Sequence, residues 1–190
     1  MKNLAISSLL LAAAATPASA DGVFETLKAN CGKAFKGEVA RGAQNDAWRK
    51  ATIIMHVRDC SSEQIKVPLH VDDNHSRVWI FSKTENGLRL KHDHRHADGH
   101  SDTVTMYGGD SREGDGHNGD PEIAFPADAE SIALFNANKL EAAVTNVWHV
   151  AVKDGKFSYR LTRPNRDFMI EFDLSKPVAT PPNAWDLVGH

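Results

Sequence analysis

The chain has 190 residues, with 25 acidic against 22 basic side chains, a net charge of −3 and 41% apolar residues. This length suits one domain with a full core. A mildly acidic balance argues against nucleic acid and against anionic membrane surfaces as partners.

The first twenty residues read as a leader. Lys2 is the positive start, Leu4 to Ala15 is a short apolar run, Thr16-Pro17 breaks it, and Ala18-Ser19-Ala20 is an A-x-A cleavage signal. The run is too short to span a bilayer, and no Cys follows Ala20 to carry a lipid. Residues 1–20 are therefore expected to be a cleaved signal peptide and residues 21–176 one domain. Residues 177–190, with Pro181-Pro182, should form an extended tail. The mature chain is expected to be exported, periplasmic or secreted, without a membrane anchor, and monomeric. Losing Lys2 takes its charge from −3 to −4.

Asp21 can cap a short helix with Phe24, Leu27 and Cys31 on one face and Gly32 at its end. Cys31 and Cys60 are the two cysteines. In an oxidising compartment such a pair forms a disulfide; closing a loop of about 30 residues stabilises by roughly 3–4 kcal/mol through chain entropy. A Cys/His metal site is the rival reading, weakened by the absence of a C-x-x-C pair.

From there the pattern alternates with period two. Strands are expected over 33–40, 50–59, 64–71, 76–82, 87–96, 102–108, 145–153, 157–163 and 167–174, with hairpin signals at Asn86-Gly87, Asp98-Gly99 and Asp154-Gly155. Turns at Asp154-Gly155 and Pro164-Asn165 pair Val152 with Phe157, Val150 with Tyr159 and Trp148 with Leu161, then Leu161 with Phe168, Tyr159 with Ile170 and Phe157 with Phe172. Every facing pair is apolar, so three strands share a buried face. Gly108 to Pro121 reads as a loop; its Asp115–Asp120 stretch resembles a calcium loop, with ligand spacing wrong for an EF-hand. Pro126 to Ala137 holds a short helix with Ile132 and Phe135 toward the core. The fold class is all-β: an antiparallel meander of eight or nine strands, barrel-like, with a short N-terminal helix and one short helix in a late connection. A β-sandwich is the alternative.

Ten histidines are present. By alternation His56, His70 and His149 point outward and His190 is terminal. His92, His94 and His96 continue the apolar row of Leu88 and Leu90, while Arg89, Lys91, Asp93 and Arg95 form a solvated face. Three readings of this row stand open. In the first, His92, His94 and His96 supply metal ligands for Zn²⁺ or another divalent transition metal; all three span about 13 Å, so two of them plus a group from a neighbouring strand would grip the ion. In the second, Arg77 anchors an acidic small ligand and Trp79, Phe81 and Tyr107 wall the pocket. In the third the imidazoles only support the fold, bonded to one another, to Thr103, Thr105 and Tyr107, or to water. A two-residue turn at Asn86-Gly87 sets His94 against Trp79 and His96 against Arg77; a four-residue turn is read as setting them against Arg77 and His75. Residues 76–82 are apolar on both sides, and an even hairpin near Asp73-Asn74 would turn Val78 and Ile80 inward instead of Trp79 and Phe81.

No G-x-S-x-G, Gly-rich phosphate loop or H-E-x-x-H occurs. The run Leu88 to His96, then Asp98-Gly99, Val104-Thr105-Met106-Tyr107-Gly108-Gly109, Phe125 to Asp128, Thr145 to Trp148 and Glu171 to Leu174, resembles a family of uncharacterised secreted bacterial proteins. The resemblance spans most of the mature chain and implies export, but no catalytic residue. Gly32-Lys33-Ala34-Phe35 is similar to the first strand of lipocalin-like (calycin) barrels, with Phe for the usual Trp. The expected function is non-catalytic binding of a small ligand or metal ion near the histidine strand. A ligand-free structural or interaction protein of the envelope and a metal-assisted hydrolase are the alternatives.

Overall fold

The structure, a computed structural model, describes residues 20–43, 46–112, 115 and 122–188. The leader before Ala20 and all of the calcium-like stretch except Asp115 lie outside the described residues. The order of elements is α1 (Ala20–Ala29), β1 (Ala34–Arg41), β2 (Ile53–His56), β3 (Asp59–Cys60), β4 (Gln64–Val71), β5 (Asn74–Thr84), β6 (Gly87–His94), β7 (Tyr107–Asp110), β8 (Glu122–Pro126), α2 (Ala129–Ala137), β9 (Val147–Lys153), β10 (Lys156–Arg163) and β11 (Arg166–Val178). None of the described helices is long and apolar enough to cross a membrane.

The three-strand register read from facing apolar pairs is present pair for pair, from Val152 with Phe157 to Phe157 with Phe172. Asp154 and Gly155 both take positive φ, +51° and +75°, as a two-residue hairpin turn requires. Around the sheet each strand lies beside its sequence neighbours, with β3 an extra piece on β4. The first and last long strands complete the ring: β1 pairs with β11 from Ala34 opposite Val178 to Arg41 opposite Met169. The result is an up-and-down, nearly closed antiparallel barrel.

The one joint without a ladder lies between β7 and β8. There Asp128 N donates to Gly108 O at 2.9 Å. Buried Ser131 of α2 bonds the same residue twice: its Oγ accepts from Gly108 N at 2.7 Å and donates a second hydrogen bond to Gly108 O at 3.0 Å. A Cβ on Gly109 would collide with the Pro126 carbonyl, so glycine lets the strands meet.

One end of the barrel is plugged. Val23, Phe24 and Leu27 of α1 are buried, and the helix touches β4, β6 and β9. The helix begins by Ala20, so Asp21 lies inside it rather than capping it. The Cys31–Cys60 disulfide, Cα–Cα 6.2 Å, ties the chain leaving α1 to β3.

A bulge resolves the ambiguity of the fifth strand. Val71 pairs with Asn74 around the Asp72-Asp73 turn, but Leu69 pairs with Arg77, so β5 carries one extra residue at His75-Ser76. That slip turns Arg77, Trp79 and Phe81 inward and Val78 outward. Val78 is nevertheless buried, because the chain end covers the outer face. After β11 the tail is not simply extended: it folds back, and a turn at Trp185–Leu187 packs on β5.

His70 does not point to solvent: it is buried, with Nδ1 2.8 Å from His75 Nδ1, under the strap held by the Arg58–Asp186 ion pair at 2.6 Å. Lys91 and Asp93 do not form a solvated face: Lys91 reaches Asp128 at 2.6 Å, and Asp93 meets Arg95 at 3.1 Å and the Thr105 hydroxyl at 3.0 Å. Residues 102–106 are not strand; the Thr105 hydroxyl takes the place of a ladder partner by accepting from His94 N at 2.8 Å. Residues 122–125, for which the sequence predicts no element, and Pro126, expected with the helix, form β8, with Ile123 and Phe125 buried.

The seam makes a direct prediction. Ser131→Ala strands the buried Gly108 N–H and should cost about 1–3 kcal/mol in urea unfolding; an unchanged midpoint would show that the seam does not depend on that hydroxyl.

Candidate functional site

The open end of the barrel holds a cavity of about 370 Å³. Its floor is a contact across the lumen: Trp79 of β5 stacks on Tyr159 of β10, centroids 4.2 Å apart and planes 15° apart. Tyr107, Trp148, Phe135 and Phe168 continue the aromatic wall, and Leu69, Leu140 and Leu161 add apolar surface.

His92 locks the floor. Its Nδ1 lies 3.1 Å from the Tyr107 carbonyl oxygen, which can only accept, so Nδ1 carries the proton. Nε2 is then an acceptor and takes the Tyr159 hydroxyl proton at 2.7 Å. The ring stacks on Tyr107 at 4.8 Å and tilts against Trp148 at 4.9 Å. Burial pushes His92 down to about 3, so it is neutral. His94 Nε2 lies 2.9 Å from the Tyr107 hydroxyl. Burial first, and then the Arg77 charge, pushes His94 down to about 4. Burial also raises Tyr107 to about 12 and Tyr159 well above the ordinary phenol range. The imidazoles and phenols are therefore all uncharged near neutral pH.

Arg77 is the charge among them. It sits cross-strand from His94 and lines the cavity. Burial lowers its proton affinity, yet a guanidinium starting from 12.5 stays protonated. Its Nη1 donates to Asn74 Oδ1 at 2.9 Å, and its plane lies over Trp48 at 5.2 Å. Among the described residues no carboxylate comes within 4.0 Å of it. Arg163 and Arg166 line the same cavity from the β10–β11 turn, and no described lining residue is acidic.

Of the residues singled out from sequence, Arg77, Trp79, Tyr107, His92 and His94 converge here. Phe81 does not: it is fully buried below the floor, 6.4 Å from Phe157. His96 does not either, since β6 ends at His94 and the chain turns, with Gly99 N bonded to His96 O, leaving His96 exposed. Of the two registers weighed, the one that sets His94 against Arg77 is present, with His92 opposite Trp79; the turn that gives it is the two residues Glu85-Asn86, since Thr84 pairs with Gly87. No group of three or more His, Cys, Asp or Glu among the described residues is placed to hold a metal ion, and both His92 nitrogens already have partners.

Trp148 and Tyr159 enter the site although the sequence marked them only as core. Their register already placed them on the lumen face, and the missing step was the length of the barrel. Trp48 and Arg166 gave no signal, lying in a short turn and at a hairpin tip, whereas Arg163, the last residue of β10, was not singled out although alternation puts it on the face of Tyr159 and Leu161. No protein-family profile, curated protein or solved structure matches the chain.

The buried imidazoles carry a pH prediction. His70, His92 and His94 have folded values of about 4, 3 and 4 against 6.5 unfolded. The unfolded chain therefore binds more protons below pH 6.5, and stability should fall as pH drops from 6.5 to about 4. The slope approaches about 1.4 kcal/mol per pH unit for each histidine. Urea unfolding from pH 7.5 to 4.5 checks this. A flat profile would contradict the buried neutral state, and His94→Gln should flatten part of the slope.

Proposed function

We propose that this chain is an exported, non-catalytic binding protein that takes a small organic anion with an apolar body into the open mouth of its barrel. The carrying observation is Arg77: a guanidinium inside an aromatic cavity of about 370 Å³, without a carboxylate partner among the described residues. Removing a charge from water without pairing it is costly, and a ligand acid group would supply the pair. Neutral His94 and Tyr107, bonded to each other at 2.9 Å, put no competing charge beside it. The open volume above the floor argues against a purely structural histidine row. Arg77 next to His94 disfavours a cation there.

Export rests on the leader, and it agrees with the Cys31–Cys60 bond, which an oxidising compartment maintains. The metal-assisted hydrolase is the weaker reading, because the imidazoles are spent on the Tyr107 and Tyr159 contacts.

Trp48, Trp79 and Trp148, three of the four tryptophans, line the cavity, so their emission reports occupancy. A panel of aromatic and straight-chain carboxylates, each beside its neutral amide, should change tryptophan emission and raise the melting temperature for acids only. Arg77→Gln should weaken acid binding about 10- to 100-fold, the worth of a charge-assisted pair. Amides binding as well as acids, or Arg77→Gln binding acids undiminished, would overturn the reading.

A further inference from the structure

The walls that carry the cations are opposite one another. Along the ring β5 and β10 stand five strands apart among ten. They touch through the Trp79–Tyr159 stack on the floor. From that level Arg77 lies two residues toward the mouth on one wall, about 7 Å along the strand, and Arg163 four residues up the other, about 13 Å. Alternation keeps Tyr159, Leu161 and Arg163 on the lumen face, and all three line the cavity.

Arg163 is half-buried, and its contact is a long one, Nη1 to Asn146 Oδ1 at 3.4 Å. Its neighbour Arg166 differs: it is exposed, with Asp46 at 3.9 Å and its guanidinium over Phe168 at 5.3 Å. Two half-buried guanidiniums, Arg77 and Arg163, thus face one cavity from opposite walls and different depths. Neither has a carboxylate within ion-pair distance among the described residues. Between them the lining is apolar and aromatic: Leu69, Leu161, Trp48 and Phe168.

Resting on the anion-binding reading, we infer that the ligand is an elongated dianion: one acid group deep on Arg77, a second at the mouth on Arg163, and an apolar body between them. A single acid group satisfies one wall only and leaves the other cation half-desolvated. A second acid group on the same body adds a charge-assisted contact without a second loss of translational freedom.

The test is calorimetric titration at fixed ionic strength with matched pairs: naphthalene-2-carboxylate beside naphthalene-2,6-dicarboxylate, and decanoate beside decanedioate. In at least one pair the diacid should bind about tenfold or more tighter than the monoacid. Arg163→Gln should erase that preference by weakening the diacid much more than the monoacid, and Arg163→Lys, which keeps the charge, should retain most of it. Arg77→Gln should weaken both members. Monoacids binding as tightly as diacids in both pairs, or a diacid preference that survives Arg163→Gln, would overturn the dianion and leave the anion site standing. If no member of either pair binds the wild-type protein, the anion-binding reading itself falls. Melting temperatures of the variants establish that each is folded.

Discussion

The contact of Trp79 with Tyr159 across the lumen decides what this barrel is. Antiparallel walls of this size can fill completely with side chains or leave room for one small molecule. Here two opposite strands meet face to face at one level, and His92 fastens the meeting by accepting the Tyr159 hydroxyl while donating to the Tyr107 carbonyl. Below that level Phe81, Phe157, Phe172 and the plug residues Phe24 and Leu27 pack without exposure. Above it the walls diverge around an open space. A buried imidazole with both nitrogens satisfied contributes to the fold; with either partner lost it would leave a bare polar atom in the core. The same three rings therefore close the core and form the base of the cavity.

Charge is distributed by the same economy of burial. Arg58 meets Asp186, Lys91 meets Asp128, and Arg95 meets Asp93. Arg49 gives its protons to the carbonyls of Val39, Gly42 and Ala43. Among the described residues Arg77 and Arg163 bond only to amide oxygens, at 2.9 and 3.4 Å. Asp128 shows how closely paired the remainder is: it caps α2 through Ser131 N, pairs with Lys91 and, through its own N–H, sutures β7 to β8. Unlike Arg58, Lys91 and Arg95, these two cations, Arg77 and Arg163, are left open toward one cavity.

Much of this was legible in the chain. The β9–β11 register followed from facing apolar pairs, because a one-residue slip would have driven Trp148, Tyr159 and Phe172 to the outside. Arg77, Trp79, Tyr107, His92 and His94 could be nominated because alternation fixes which side chains share a face. Alternation fails where both faces are covered. His70, Lys91 and Asp93 read as solvated, and only a strap closing from the far end of the chain, or a loop and helix cap, shows otherwise. It also fails at irregularities: the bulge in β5 reverses Val78 and Trp79, and the early end of β6 removes His96. A rim residue from a turn, such as Trp48, carries no periodic signal at all.

The pairing of β1 with β11 has a consequence for how the molecule is made. Every other wall contact joins sequence neighbours and can zip as soon as its hairpin exists, whereas this one spans almost the entire domain. Closing so long a loop costs little more entropy than closing one half its length, but it cannot happen before the final strand arrives. A chain delivered from its N-terminus must therefore carry β1 with a bare hydrogen-bonding edge through nearly its whole emergence, and bare edges recruit other strands. Lys36, Glu38 and Arg41 put charge along that waiting strand, the kind of feature by which natural sheets discourage pairing with a strand of another chain.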